Sequence, residues 1–180
     1  SGVSLGLNGI GAKLTNWLSS KLIAKSVRDG EYEKLWFKDG IFQKREVGKT
    51  SEQSGTIVEW YPDKQFFASN EPDFQFLCNY FEEIGALVPN LTTNFTYIKN
   101  NKEQKFEYHI PDGLNHLVSE RIGDKELFSS RFSLERTIGT DSISICLTYT
   151  SDYSDNITSF VNLGKTDGGD HISAFKSAFT

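Results

Sequence analysis

The segment Gly6-Leu-Asn-Gly-Ile-Gly-Ala-Lys-Leu-Thr15 carries three glycines and runs directly into an amphipathic stretch. Glycine adopts positive φ angles without a Cβ clash and lets a backbone approach an anion closely. Apolar residues then recur at helical spacing, which predicts a helix over residues 11–20; they are Ile10, Leu14, Trp17 and Leu18. Because the first amide groups of a helix are unpaired and lie at the positive end of its dipole, the segment indicates a turn that binds phosphate groups.

Two common phosphate-binding motifs do not fit this segment. A Walker A loop requires GxxxxGK[ST], but Ala12 follows Gly11 and Lys13 stands one position late. A dinucleotide fingerprint requires GxGxxG after a strand, whereas the spacing here is reversed and follows no clear strand. On spacing alone, the alternative is a glycine-rich turn that does no more than begin a helix.

Composition describes a soluble globular chain. Its 180 residues, 37% apolar and 24% charged, suffice for one domain or two small ones. No apolar run approaches the roughly 18 residues of a membrane span, so no membrane partner is expected. Cys78 and Cys146 are isolated and the three histidines are scattered, so neither a disulfide framework nor a metal site is predicted, and the cytoplasm is the expected location. A net charge of −5 disfavours a primary DNA-binding role, although residues 1–50 hold nine basic and five acidic residues.

Turn signals and periodicity predict strands mixed with helices. Asp29-Gly30 is expected to join strands at 22–28 and 31–38, and a strand at 56–61 is expected to stop at Pro62. Asp73 is the predicted N-cap of a helix whose one face carries Phe74, Leu77, Phe81 and Ile84. Further strands are predicted at 91–99, 104–110, about 127–137, 142–150 and 156–162, with helices at 114–122 and at the end of the chain. This order favours an α+β fold or two-layer α/β sandwiches over an all-parallel sheet.

The sequence Pro111-Asp112-Gly113 interrupts this pattern, because proline and glycine together break regular structure. It predicts a domain boundary between residues 112 and 113. The chain has no methionine and begins with Ser1-Gly2, from which we expect a piece of a longer protein.

Three motifs together resemble the ATPase region of the type II topoisomerases, which belong to the GHKL ATPase superfamily. The glycine segment is similar to the family's ATP lid, and its Asn8 and Gly11-Ala-Lys13 are closer to the eukaryotic and phage versions than to gyrase. Ser54-Gly-Thr-Ile-Val-Glu-Trp-Tyr-Pro62 resembles the family's TGT strand. Ser159-Phe-Val-Asn162 with Thr166-Asp-Gly-Gly-Asp-His171 is similar to the signature of the adjoining transducer domain, although Asp170 replaces the usual threonine.

The resemblance implies a fold and a set of site residues. Residues 1–112 would be the second half of a GHKL-type α/β sandwich, the C-terminal part of the ATPase domain. Residues 113–180 would be the first half of a two-layer α/β transducer domain, in which Gly168, Gly169 and His171 pack the structure. Thr56 would lie beside the adenine pocket. The phosphate lid would consist of Gly6, Leu7, Asn8, Gly9, Ile10, Gly11, Ala12 and Lys13.

It also implies an activity for the parent protein, which would couple ATP binding and hydrolysis to DNA strand passage. ATP and Mg²⁺ would be its cofactors, and its partners would be DNA, a cleavage subunit or domain, and a second copy of itself. In the family, the water-activating glutamate and the Mg²⁺-binding asparagine precede the lid, and a γ-phosphate lysine follows the transducer signature. The resemblance therefore assigns no catalytic residue and no metal ligand to these 180 residues, and the chain alone is expected to be inactive.

Two other readings stay open at this point. One is a different GHKL enzyme, such as a mismatch-repair ATPase, a heat-shock chaperone or a histidine kinase. The other is a non-catalytic interaction module that has kept the fold. Carboxylates such as Glu31, Glu33, Glu82 and Glu83 lie on predicted hairpins and helices and are interpreted as exposed faces rather than as a general base.

Overall fold

The structure, a computed structural model, describes residues 10–69, 71–125, 127–151 and 155–179. None of the helices in these ranges combines the length and the apolar character that crossing a bilayer requires. In chain order the elements are α1 (Gly11–Trp17), β1 (Ser19–Arg28), β2 (Glu31–Lys38), β3 (Ile41–Lys49), β4 (Gly55–Pro62), α2 (Phe74–Leu87), β5 (Thr92–Lys99), β6 (Lys102–His109), α3 (Leu114–Ile122), β7 (Phe132–Ile138), β8 (Asp141–Leu147), β9 (Ser159–Val161), β10 (Gly164–Thr166) and α4 (Asp170–Phe179).

The described chain divides into two compact units, the first ending at Pro72 and the second beginning at Asp73. These two units are defined by which residues lie close together in space. The boundary predicted from the sequence, between residues 112 and 113, separates two domains of the family, and it stays a prediction.

The first unit is built on an antiparallel sheet with the strand order β3-β2-β1-β4. The predicted hairpin at Asp29-Gly30 is confirmed, with Arg28 opposite Glu31. Asp39-Gly40 turns β2 into β3 in the same way, and both turns place an aspartate and a glycine at positive φ, as tight hairpin turns require. β1 is central and supplies the buried side chains Leu22, Ile23 and Val27.

The two faces of this sheet follow from its register. Residues directly opposite in antiparallel strands share a face, and neighbours along a strand alternate. Leu22 lies opposite Phe37 and Trp60, and this face is largely apolar. Ile23 lies opposite Trp36, on the other face. β1 is therefore buried on both sides, which makes it the core of the unit.

The second unit consists of helices and three two-stranded hairpins, β5–β6, β7–β8 and β9–β10. The predicted N-cap of α2 is confirmed, because the Asp73 carboxylate accepts a hydrogen bond from the Phe76 amide at 2.9 Å. Aromatic rings fix α2 on the β5–β6 hairpin. The Phe74 ring lies 4.9 Å from that of Tyr97, and the Phe81 ring lies 5.1 Å from that of Phe95. These distances are typical of paired aromatic side chains.

Several boundaries differ from the sequence prediction. The first helix ends at Trp17, not at residue 20, because the next residues join the sheet, where Ser19 lies opposite Pro62 and the Asp63 amide donates to the Leu18 carbonyl at 3.0 Å. Regular pairing of the strand predicted at about 127–137 begins only at Phe132. β3 and β10 were not predicted, because their polar sequences carry no alternation and they form by backbone pairing with a neighbour.

We expect Gly40→Ala to lower the free energy of unfolding by more than about 1 kcal/mol, because alanine is strained at a positive φ. A Cβ at Gly40, where φ is +76°, would lie 2.7 Å from Trp17 Cδ1 and 3.3 Å from Trp17 Cα. Gly30→Ala is the matched control. It stands in the same type of Asp-Gly turn at φ +79°, but its nearest neighbour would be the Thr50 carbonyl oxygen at 3.8 Å. Urea unfolding of both variants measures the difference, and equal losses would contradict the Trp17 contact.

We expect stability to fall between about pH 10 and 12 as a result of Tyr108. Burial, and then a hydrogen bond with Cys78, raises the pKa of Tyr108 from 10.0 to about 12. The unfolded phenol therefore ionises first, so the stabilisation is complete below pH 10 and is lost as the pH approaches 12. The slope from one such group is at most about 1.4 kcal/mol per pH unit. Denaturant unfolding across this range should show a smaller slope for Tyr108→Phe, and an unchanged slope would refute the assignment.

Candidate functional site

The predicted phosphate lid lies at the beginning of the described chain. Gly6, Leu7, Asn8 and Gly9 fall outside the described residues. Ile10 immediately precedes α1 and is 49% exposed, and Gly11 is the first residue of the helix. Ala12 and Lys13 are exposed on its first turn. Among the described residues, a methyl group added at Gly11 would meet no atom within 4 Å. The segment from Ile10 to Lys13 is therefore open, and its contact with phosphate stays a prediction.

The other end of α1 is fixed to the sheet. The Asn16 side-chain amide donates to the Gly40 carbonyl at 3.2 Å, and the Trp17 side chain lies against the backbone of Gly40. The Ser19 hydroxyl donates to the Thr15 carbonyl, and Ser19 is only 1% exposed. Asn16 directly follows the quoted glycine segment, but sequence reasoning gave it no role. Its partner lies in a turn 24 residues away, for which no local pattern gives a signal.

Thr56, the second predicted nucleotide contact, lies on β4 opposite Ser26 of β1. By the alternation of β4 it shares the apolar face with Val58 and Trp60. Ser26 stands seven residues along β1 from Ser19, which corresponds to about 23 Å at ~3.3 Å per residue. Thr56 and the end of α1 are thus in one unit but far apart along the strand. The role of Thr56 beside adenine stays a prediction.

Three of the four carboxylates weighed as general bases take part in structural pairs, and the fourth, Glu31, is exposed on β2. Glu33 accepts from Arg45 at 2.7 Å, Glu82 pairs with His116 at 2.7 Å, and Glu83 accepts from Lys165 at 2.7 Å. In the part of the chain that the structure describes, no three His, Cys, Asp or Glu residues gather closely enough to hold a metal ion. These pairs explain the positions of the carboxylates by packing alone.

A second polar cluster lies in the segment that resembles the transducer signature. His171 Nε2 is 3.1 Å from Thr166 Oγ1 and 3.3 Å from Ser159 Oγ, and the two hydroxyls are 2.5 Å apart. The Ser159 hydroxyl also donates to the Thr166 carbonyl at 3.1 Å. Gly169, at φ +136°, lies against the His171 ring, where a Cβ would come within 2.8 Å of Cε1. The cluster ties the first turn of α4 to the β9–β10 hairpin.

We expect Thr166→Val to lower the free energy of unfolding by about 1–2 kcal/mol, because the half-buried Ser159 hydroxyl loses a partner and the exposed His171 ring loses a contact. Thr137→Val is the matched control. It also removes a Thr–Ser hydroxyl contact in a hairpin, with Ser142 at 3.0 Å, but this contact is exposed and water can replace the lost partner. Its effect should stay within about 0.5 kcal/mol. Equal effects in thermal or urea unfolding would show that the His171 cluster is not a structural tie.

Comparison with known proteins shows what the chain is similar to. Residues 113–180 match the family described as DNA gyrase B. The chain is 35% identical to the B subunit of DNA gyrase from Campylobacter jejuni over 99% of its own length and 23% of that protein. It is 31% identical to the B subunit of DNA topoisomerase 4 from Streptococcus pneumoniae, over 97% of the chain and 28% of that protein. The chain thus spans about a quarter of the length of these curated relatives.

Solved structures show the same fold. The 43K ATPase domain of Thermus thermophilus gyrase B, in complex with an aminocoumarin, matches with a TM-score of 0.79 at 24% identity, over 96% of this chain and 48% of that one. The topoisomerase IV ATP-binding domain of Francisella tularensis matches with a TM-score of 0.70 at 26% identity, over 98% of this chain and 48% of that one. The α+β, GHKL-type fold expected from the sequence is confirmed by these matches.

Proposed function

We propose, from the membership of this chain in the family of type II topoisomerase B subunits, that it forms part of the ATP-binding and transducer region of such an enzyme. The observation that carries the proposal is the similarity to the B subunits of gyrase and topoisomerase IV along nearly the whole chain. In the intact protein, ATP binding and hydrolysis drive DNA strand passage in the cytoplasm. ATP and Mg²⁺ are the cofactors, and DNA, a cleavage subunit or domain and a second copy are the partners.

Residues 1–112 belong to the ATPase domain in this proposal, and residues 113–180 to the transducer. The Gly6–Lys13 segment contacts the nucleotide phosphates through backbone amides. Backbone donors of this kind stabilise the charge that develops during phosphoryl transfer. The exposure of Ile10 and the fixed position of Asn16 support this role, because the described part of the segment is open and the helix that follows it is tied to the sheet. A lid of this kind orders when the triphosphate binds.

The apolar face of the first sheet supports the idea that the chain acts within a larger ATPase domain. Thr56, beside the adenine in this proposal, belongs to this face. Four large apolar side chains on it are 49–61% exposed; they are Phe42, Val47, Val58 and Trp60. Contiguous exposed apolar patches on a protein mark surfaces that other structure covers.

Gly11→Ala in the intact protein tests the phosphate role of the lid. Because the added methyl group meets no atom within 4 Å in the described chain, the free energy of unfolding should stay level or rise by up to about 1 kcal/mol. The same methyl group would stand between the backbone and a bound phosphate, so we expect ATP to bind at least about tenfold more weakly, which is ~1.4 kcal/mol. Calorimetric titration with a non-hydrolysable ATP analogue measures the affinity, and Mg²⁺-dependent ATP turnover gives the activity.

Ser51→Ala is the control for this experiment, since it changes an exposed loop residue outside the lid without altering a glycine. Normal ATP affinity in Gly11→Ala would refute the phosphate role of the lid. Absence of ATP turnover and of ATP-dependent strand passage in the intact wild-type protein would refute the proposed function itself. The 180-residue chain alone serves as the reference without turnover, because the family's base and metal ligand are not among its matched motifs.

A further inference from the structure

The first sheet carries a second face on which lysines alternate with aromatic rings. By register this face includes Lys21, Lys25 and Lys34 with Lys44 of β3, and the rings of Tyr32, Trp36 and Tyr61; we call it the lysine–aromatic face. Lys25 lies opposite Lys34, and Lys21 lies opposite Tyr61. Like charges placed directly opposite each other destabilise a sheet. Lys25 and Lys34 thus stand where packing alone would favour other residues.

The aromatic rings hold the lysine head groups in place. Two ammonium groups lie over Trp36, that of Lys34 at 4.9 Å and that of Lys44 at 4.8 Å from the ring centroid. Lys25 lies 5.2 Å from the Tyr32 centroid, and Lys21 lies 5.0 Å from that of Tyr61. These are cation–π distances. A lysine held in this way has already lost part of its rotamer freedom, which lowers the entropic penalty of binding an anion.

Gly48 allows the Tyr32 ring to lie flat on this face. A Cβ at Gly48 would come within 2.8 Å of Tyr32 Cε1, so any larger residue would displace the ring. The Tyr32 hydroxyl donates to Glu46 at 2.8 Å. This hydrogen bond is the main cause that keeps the pKa of Glu46 below its usual value, so the carboxylate stays ionised. Glycine, tyrosine and glutamate together fix one end of the face.

The carboxylates that reach this face are partly engaged. Glu46 also accepts from Lys44 at 3.0 Å, and Glu52 pairs with Lys25 at 2.6 Å. Among the described residues Lys21 and Lys34 form no ion pair within 4.0 Å, although the charge of Lys34 helps to lower the pKa of Glu46 and of Glu52. Lys38 lies on the same face by the alternation of β2, and Glu59 lies on it by that of β4. In total the face has five lysines and three glutamates, a net charge of +2, whereas the net charge of the whole chain is −5. By the same register the opposite face carries three basic and two acidic residues, a net charge of +1, so the lysine–aromatic face is the more positive of the two; they are Arg28, Arg45, Lys49, Glu31 and Glu33.

We propose that the lysine–aromatic face contacts the phosphate backbone of duplex DNA. Lysine contacts to phosphates release counterions and supply the sequence-independent part of DNA affinity. Single-stranded nucleic acid is bound chiefly by stacking of bases on open aromatic rings. Here the rings already carry ammonium groups at 4.8–5.2 Å, which favours phosphate contact over stacking. The choice of DNA as the polyanion rests on the proposed function, in which DNA is a partner of the intact enzyme.

Fluorescence anisotropy of a labelled 30-base-pair duplex, titrated with the 180-residue chain between 50 and 200 mM salt, tests this proposal. We expect wild-type binding to weaken with salt, and the double variant Lys21→Gln/Lys34→Gln to bind about tenfold more weakly at 50 mM salt. Each lost phosphate contact should reduce the slope of log K against log salt by about 1, so the double variant should reduce it by about 2. The variant Lys21→Arg/Lys34→Arg keeps the charge and should bind like wild type.

Arg28→Gln/Lys49→Gln is the matched control, because it removes the same charge from the other face of the same sheet. It should change affinity less than twofold. The proposal is overturned if wild type does not bind at 50 mM salt, if the control loses as much as the test variant, or if a single strand binds more tightly than the duplex. Circular dichroism verifies folding, and Lys21→Gln alone, an exposed change, should lower the slope by about 1.

The phosphate role of the lid and the DNA contact of the lysine–aromatic face can be tested independently. Lys21 and Lys34 lie on the face opposite Thr56, so their variants should leave ATP affinity in the intact protein unchanged. Loss of DNA binding with normal ATP affinity supports the lysine–aromatic face. If the lysine variants bind DNA as the wild type does, the proposed DNA contact is refuted and the proposed phosphate role of the lid is unaffected. Failure of the Gly11→Ala test concerns the phosphate role of the lid alone.

Discussion

The first unit depends on the contact between Trp17 and the backbone of Gly40. The turn must hold two residues at positive φ, Asp39 at +50° and Gly40 at +76°, and must present a backbone without a Cβ to the indole ring. The Gly40 carbonyl also accepts a hydrogen bond from the side-chain amide of Asn16. This contact ties a two-turn helix, too short to be stable by itself, to the sheet. It also determines where the lid ends, because α1 follows the glycine segment directly.

Because successive side chains along β1 point to opposite faces, the sheet has one apolar face and one face that carries lysines. Leu22 points to the apolar face that carries Thr56, and Ile23 points to the face that carries the lysines. Both side chains are buried, at 7% and 8% exposure, so the strand stabilises both faces at once. A one-residue slip in register would exchange the faces, which β1 resists because it is paired on both sides. Thr56 of the nucleotide proposal and the lysines of the DNA proposal therefore lie on opposite faces of one sheet.

Local signals in the sequence account for the elements that were predicted correctly. The Asp29-Gly30 turn, the Asp73 cap and the strand around residues 56–61 each follow from residues within a short window. β3 was not predicted because it is a polar edge strand that forms by backbone hydrogen bonds to β2. Its charged side chains, such as Arg45, disfavour pairing of this edge with another chain. Likewise, the end of α1 is set by the Leu18 carbonyl and the Asp63 amide, which are distant in sequence. The candidate site shows the same limit, since glycine spacing indicated a turn but nothing local indicated the role of Asn16.

The second unit joins residues on both sides of the predicted boundary through α2. Glu82 and Glu83 are neighbours on this helix and diverge by about 100° around its axis, so they reach different elements. Glu82 pairs with His116 of α3, and Glu83 pairs with Lys165 of β10. Half-exposed ion pairs of this kind contribute only about 0–1 kcal/mol each. The Phe74 and Phe81 rings bury far more surface against β5–β6. The aromatic packing against the β5–β6 hairpin therefore fixes α2, and the two glutamate pairs add weaker links from α2 to α3 and β10.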